Sequence, residues 1–243
     1  MDQTTNPSQA ISPWLLGARD ALPLLGGYIP VAISFGLISV QAGFSALETV
    51  LISTLIYAGA SQFLFIAMVA SGAPLWLVVV MTLLINARHV VYGPNLAPYL
   101  GTSRAWPWLM HGLTDQIFAL AHSRLPQLAE AHRLGWYTAA ALVAWFSWIG
   151  GTALGAIAGA QITQRWPLLG EVMPFALPAL FLVLLAPRVN SSLWGWTLGS
   201  TIVVALVLKL QGINNGAIPL AALAGMAMFY LQQARAHRKQ VDG

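Results

Sequence analysis

The segment Asn86-Ala87-Arg88-His89-Val90-Val91-Tyr92-Gly93-Pro94-Asn95 sets an amide, a guanidinium, an imidazole and a phenol at the end of an otherwise apolar run. A charged side chain at a bilayer centre costs about 2.5 to 3.5 kcal/mol on insertion scales, so each such group needs a partner, an exit to the interface or a task. On a continuous helix Thr82, Asn86 and His89, at spacings of four and three, share one face. Arg88 then projects about 160° from Asn86 and about 100° from His89. It either anchors at the interface or pairs with an acid. Asp115 is the acid best placed for that role, in Leu113-Thr114-Asp115-Gln116-Ile117-Phe118. His111, Asp115 and His122 fall within about 40° of one another on a continuous helix. Such a stripe suits proton handling, since burial and neighbours move Asp and His toward working pH. A plain Arg88–Asp115 ion pair that fixes packing is the competing reading.

Two further polar interruptions could bind a solute. Tyr57-Ala58-Gly59-Ala60-Ser61-Gln62-Phe63 places small residues in the middle of a run. A helix broken there exposes backbone amides at the start of its second half, and with the positive dipole end they suit a carboxylate. Gly26-Gly27-Tyr28-Ile29-Pro30 is expected to open the backbone of the first run, because proline removes a donor and clashes with the preceding turn. The candidate substrate-binding set is therefore Tyr28, Pro30, Tyr57, Gly59, Ser61, Gln62, Asn86 and His89, with Arg88, Asp115 and His111 for proton coupling or ion pairing. A tight helix crossing, with Ser61 and Gln62 bonded to a neighbour, is the alternative at the second interruption. Gly59-Ala60-Ser61 also fits a short Gly-x-Ser pattern, with His89, His111 and His122 as bases, which keeps an intramembrane serine hydrolase in view. A channel or structural subunit is a third reading, since broken helices also line pores.

The elements that carry these residues are set by composition. Of 243 residues, 58% are hydrophobic and 7% charged, and the mean hydropathy is +0.71, too few charges to cover a soluble globule. Apolar runs of about 17 to 25 residues, the length of a helical crossing, fall near 21–41, 47–70, 74–98, 106–123, 136–160, 172–187, 192–210 and 216–232. The expected fold is all-α and polytopic, with seven or eight transmembrane helices, some interrupted. The run near 172–187 is short and holds Pro174 and Pro178, which suits a re-entrant segment as well as a span. Residues 1–19 read as a polar tail without a signal-peptide pattern, 20–232 as one membrane domain, and 233–243 as a basic tail. With both termini inside, seven loop-borne cations (Arg19, Arg124, Arg133, Arg188, Arg235, Arg238, Lys239) are cytoplasmic and three (Arg104, Arg165, Lys209) are not, which favours cytoplasmic termini. The pI near 9.8 is thus a matter of topology and not of nucleic-acid binding. With no cysteine there is no disulfide, thiolate or Cys-based metal site. No cofactor or metal is expected.

Asp20 and Glu48 read as helix-start acids. Most of the ten tryptophans lie near run ends and read as interfacial anchors. Gly150, Gly151, Gly155 and Gly159 provide a small-residue face for close approach of another helix, in this chain or a partner.

Five motifs in order carry a resemblance: Gly27-Tyr28-Ile29-Pro30-Val31-Ala32, Tyr57-Ala58-Gly59-Ala60-Ser61-Gln62-Phe63, Arg88-His89-Val90-Val91-Tyr92-Gly93-Pro94, Leu113-Thr114-Asp115 and Leu177-Pro178-Ala179-Leu180-Phe181. Over nearly its full length the chain resembles the large subunit of AzlC-type branched-chain amino acid exporters, in particular the valine-exporting members that work with a small AzlD-type membrane subunit. The resemblance implies a two-component, proton-driven exporter of valine, leucine, isoleucine or methionine in a bacterial cytoplasmic membrane. Two departures matter: Gln116 stands where members often have Glu, and an acid common near Met173–Pro174 is missing. Coupling by either acid would have to pass to Asp115 or another group. The reading that joins residues and resemblance puts a substrate carboxylate at Gly59–Gln62 and its ammonium near Tyr28–Pro30 or Asp115.

Overall fold

The computed structural model describes residues 12–101, 104–172 and 191–241, with isolated positions between 172 and 191. Every regular element among the described residues is helical, and the chain is an all-α membrane protein. It divides into two compact units, 1–180 and 181–243.

The first unit is built on α1 (Pro13–Gln41) and α8 (Glu130–Arg165). Helix α1 starts with proline in its first turn, where a missing N–H costs nothing. That start lies ahead of the expected 20, so Asp20 is not a first-turn acid. Its Oδ2 accepts from Arg124 Nε and Trp136 Nε1, both at 2.9 Å.

Pro30 does not open the backbone. Helix α1 runs unbroken through Pro23 and Pro30, and Pro30 is exposed. Pro30 supplies no N–H to the carbonyl of Gly26, yet the helix is held on both sides of that gap by α8. A Cβ on Gly151 would come 2.7 Å from Ala32 Cβ, one on Gly155 2.1 Å from Ile33 O, and one on Gly159 2.9 Å from Leu37 Cδ1. The small-residue face is therefore filled within this chain by α1, while Gly150 has nothing within 4 Å. Trp136 and Trp148 on α8 are buried in the core and are not belt anchors; their N–H groups find acceptors inside.

Between α1 and α8 the chain forms three helix pairs, each a run split near its middle: α2 (Ala46–Leu55) with α3 (Gly59–Ala70), α4 (Leu75–Asn86) with α5 (His89–Leu100), and α6 (Trp106–His111) with α7 (Asp115–Arg124). A 12-residue helix is about 18 Å long against a hydrocarbon core of about 30 Å, so no such half is long enough to span it alone. The run Leu75–Leu100, with α1, α8 and Ser192–Leu210, is long and apolar enough to span. Glu48 closes a capping box with Ser45 at the start of α2, as an acid in a first turn should. A 3-10 turn (Leu125–Gln127) leads into α8, and α9 (Pro167–Val172) follows it.

The second unit pairs α10 (Ser192–Leu210) with α11 (Asn214–Val241), which continues past the expected 232. A Cβ on Gly225 would lie 2.1 Å from Thr201 Oγ1, so these two helices also cross closely. The expected run near 172–187, with Pro174 and Pro178, and most of the Leu177–Phe181 motif lie outside the described residues.

Candidate functional site

The three breaks converge. Ile56, Tyr57 and Ala58 from the first, Asn86 and His89 from the second, and Met110, His111 and Leu113 from the third line a cavity of about 230 Å³. Pockets for drug-sized ligands start near 300 Å³, so this one suits a small solute.

Each break has a local cause. Tyr57 adopts φ 33°, a left-handed conformation that a bulky residue rarely takes and that turns the chain out of α2. At the second break Ala87 and Arg88 stay in the right-handed region but tighten into a 3-10 turn, with Val90 N bonding Ala87 O and Val91 N bonding Arg88 O. At the third, Thr114 is extended and its hydroxyl accepts from Ile117 N, a capping arrangement with Asp115 in the first turn of α7. Helix α5 runs on through Pro94 to Leu100, although Tyr92-Gly93-Pro94 looks like an ending in the sequence.

Breaking a helix frees carbonyls, and buried carbonyls must be paired. Side chains of neighbouring segments do this. Thr54 O accepts from His111 Nε2 at 3.0 Å and Trp145 Nε1 at 3.3 Å, while Ile52 O, which keeps its backbone bond from Ile56 N, also accepts from Gln62 Nε2 at 3.1 Å. His89 sits between two of them: Nδ1 is 2.9 Å from Asn86 O and Nε2 2.9 Å from Leu113 O. Gln62 is fully buried and also accepts from Trp148 Nε1 at 3.0 Å, while Gly59 packs so closely on the Trp148 indole that a Cβ would lie 2.8 Å from it. Replacing Gln62 by Leu strands that indole N–H, which we expect to cost about 1 to 3 kcal/mol and to lower the melting temperature of the detergent-solubilised protein by scanning fluorimetry.

The charged pair lies beside the cavity. Arg88 Nη1 is 2.6 Å from Asp115 Oδ2, and Tyr92 OH donates to Asp115 Oδ1 at 2.6 Å. Thr82, Asn86 and His89 do not share one helical face, because the 87–88 turn separates α4 from α5. Nor do His111, Asp115 and His122 form one stripe, since 112–114 redirects the chain: His111 meets α2, Asp115 meets Arg88, and His122 packs on Phe118. Tyr28, from α1, donates to Gln116 Oε1 at 3.0 Å and also bonds Thr114 Oγ1. Gln116 Oε1 thus serves as a buried acceptor for Tyr28.

Of the expected site residues, Tyr57, Asn86, His89 and His111 line the cavity, and Ser61 joins it through Asn86 Nδ2 at 3.1 Å. Tyr28, Gly59, Gln62, Arg88 and Asp115 stand behind as supports. Pro30 is apart from it. Ser61 Oγ donates to Ala58 O at 2.9 Å, and no hydrogen bond joins it to a histidine among the described residues. Sequence reading missed Met110, Trp145 and Trp148; the cap signature at Thr114-Asp115 was a readable sign of the third break.

The AzlC family model matches residues 23–162, which takes in most of α1, all three broken pairs and most of α8. The chain belongs to the AzlC family. It is 37% identical to the inner membrane protein YgaZ of Escherichia coli (strain K12), over 92% of this chain and 90% of that one. An uncharacterized membrane protein of Archaeoglobus fulgidus is 34% identical over 84% of this chain and 89% of its own length. The branched-chain amino acid transport protein AzlC of Bacillus subtilis (strain 168) is 27% identical over 67% and 63%. No solved structure matches. For this AzlC-family chain the matched region includes the whole cavity lining and its supports.

Proposed function

We propose that this chain is the large subunit of a two-component exporter that moves valine and related branched-chain amino acids, with methionine as a further candidate, out of the bacterial cytoplasm in exchange for protons. The observation that carries the reading is the pairing of opposite polar ends across one small cavity. Ala58, on its wall, is the N-cap residue just before α3, whose first-turn amides have no side-chain cap among the described residues. These suit a carboxylate. Asn86 Oδ1, buried and without a hydrogen-bond partner among the described residues, is an acceptor suited to an ammonium group. A zwitterion in low dielectric needs both charges met, and this arrangement meets both. The ammonium position proposed here replaces the one at Tyr28–Pro30, which the unbroken α1 removes. Ile56, Met110 and Leu113 supply the apolar wall for a branched side chain.

The B. subtilis relative's name speaks of branched-chain amino acid transport, and that supports the substrate class. The small AzlD-type partner, cytoplasmic termini and the export direction belong to the same proposal. The experiment loads cells with isotopic valine through a dipeptide and follows efflux. Rapid, saturable efflux with the chain and its small partner together, and none with either alone, is expected. Efflux that rises linearly with internal valine would favour a channel, and no efflux of any branched-chain residue or methionine would overturn the reading.

A further inference from the structure

We propose that His89 is the proton-binding residue of this carrier, and that its proton and the substrate's ammonium group compete for the same backbone carbonyls. The inference rests on the exporter reading for the substrate, but not for the proton.

Both ring nitrogens of His89 face carbonyl oxygens at 2.9 Å, Asn86 O on one side and Leu113 O on the other. A carbonyl only accepts. Neutral imidazole has one N–H and one lone-pair nitrogen, so it can satisfy one of these contacts and must set a lone pair against the other oxygen. Imidazolium satisfies both. His111, across the cavity, has a single carbonyl contact through Nε2 and is satisfied as the neutral ring. This contrast separates the two histidines and moves proton binding away from His111.

Among the described residues the two carbonyls have no competing backbone donor. In a continuous helix Asn86 O would take Val90 N, but that group bonds Ala87 O; Leu113 O would take Ile117 N, which bonds Thr114 Oγ1. Asn86 O also lies at the C-terminal end of α4, where the helix dipole favours a cation. Around His89 the charged and titratable groups are the Arg88–Asp115 pair, Tyr92 with its ring 5.7 Å away, and His111 and Tyr57 on the cavity wall. Asp115 already holds Arg88 and Tyr92, so it is not a dedicated counter-ion for His89.

When His89 loses its proton, one of the two carbonyls is released beside the cavity that Asn86 and Leu113 line, and Asn86 Oδ1 is a second buried acceptor with no hydrogen-bond partner among the described residues. Two acceptors then await an ammonium group with three donors. When the proton returns, His89 reclaims the carbonyl and the ammonium loses that bond. Substrate binding on the neutral side and release on the acidic side follow, with one proton carried inward for each zwitterion carried out. By linkage, the amino acid must also weaken proton binding by the same factor.

The test uses the full chain with its small partner in nanodiscs. Equilibrium binding of isotopic valine is measured from about pH 8 to about pH 5, the window in which histidine charge changes. The wild type is expected to lose affinity toward about tenfold per pH unit on the acid side, the limit for one competing proton. His89→Gln, which has an amide donor and no titration, is expected to bind valine with a flat profile, and His89→Asn serves if the first variant is poorly folded. A wild-type slope retained in a folded variant would overturn the proposal. Solid-state nitrogen NMR of histidine-labelled wild type, with the variant identifying the His89 signals, reads the ring without substrate. Two protonated nitrogens at the acid end are expected, and a neutral ring throughout would sink the idea. If no amino acid binds at any pH, the exporter reading falls while the NMR still decides the proton site.

Discussion

Gly155→Ala is expected to prevent this chain from folding to a stable form in the membrane. A Cβ at that position would lie 2.1 Å from Ile33 O and 2.8 Å from Ile33 C, both backbone atoms of α1. A flexible side chain could turn aside, but backbone cannot, so α1 and α8 would have to separate. The contact is reciprocal, since a Cβ on Gly36 would come 2.2 Å from Thr152 O. Separation here would also disturb the neighbouring crossings at Gly151 and Gly159, and with them Tyr28 and Trp148, which support the cavity from α1 and α8. We expect a loss at or beyond the upper end of ordinary overpacking, about 3 kcal/mol. The check is the yield of monodisperse protein and its melting temperature in detergent. Gly150→Ala is the control: nothing lies within 4 Å of its would-be Cβ, and alanine favours helix by up to about 1 kcal/mol over glycine. Equal melting temperatures for the two variants would show that α1 and α8 do not cross at this register.

The crossing was only half legible in the sequence. The spacing of Gly151, Gly155 and Gly159 shows that something packs there, but composition does not say what, and the partner lies more than a hundred residues earlier. The helical runs were legible for a simple reason: in lipid, backbone groups must pair within their own segment, so apolar length translates into helix. The breaks were less so. Small residues marked Tyr57–Gly59, and Gly112 with Thr114 could have marked the third, but Ala87-Arg88 has neither glycine nor proline and has good helix formers. Wheel positions computed across 87–88 and 112–114 therefore grouped residues that the folded chain sends in different directions. Pro30 erred the other way. Its local rule predicts an opening, and long-range packing on α8 overrides it. Trp148 shows the remaining limit: its place in the middle of the 136–160 run argues against an interfacial anchor, but its acceptor, Gln62, lies 86 positions earlier and is found only in the fold.

The second large effect is expected at the ion pair. Asp115→Asn leaves Arg88, whose side chain is 24% exposed, as a charge without its carboxylate, and leaves one amide oxygen where two carboxylate oxygens had accepted from Arg88 and Tyr92. Arg88 Nε is already buried without a partner among the described residues, so Asp115 provides most of the compensation seen for this guanidinium. Losing one member of a buried pair costs about 3 to 5 kcal/mol, and partial exposure places this case near the lower figure. Valine efflux by Asp115→Asn should fall to background. The informative comparison is the double variant Arg88→Met with Asp115→Leu. Removing both charges from a buried pair is often neutral, so the double variant should regain most of the lost stability, with a coupling energy of about 2 kcal/mol or more in the mutant cycle. A coupling near zero would mean that the 2.6 Å contact holds nothing together. Equilibrium binding of valine across pH then separates structure from chemistry. If the pair only shapes the floor on which His89 and Leu113 meet, the stable double variant should still show a pH-dependent affinity for valine. If Asp115 itself carries the transported proton, that dependence disappears with it, and the competition assigned to His89 must be given up.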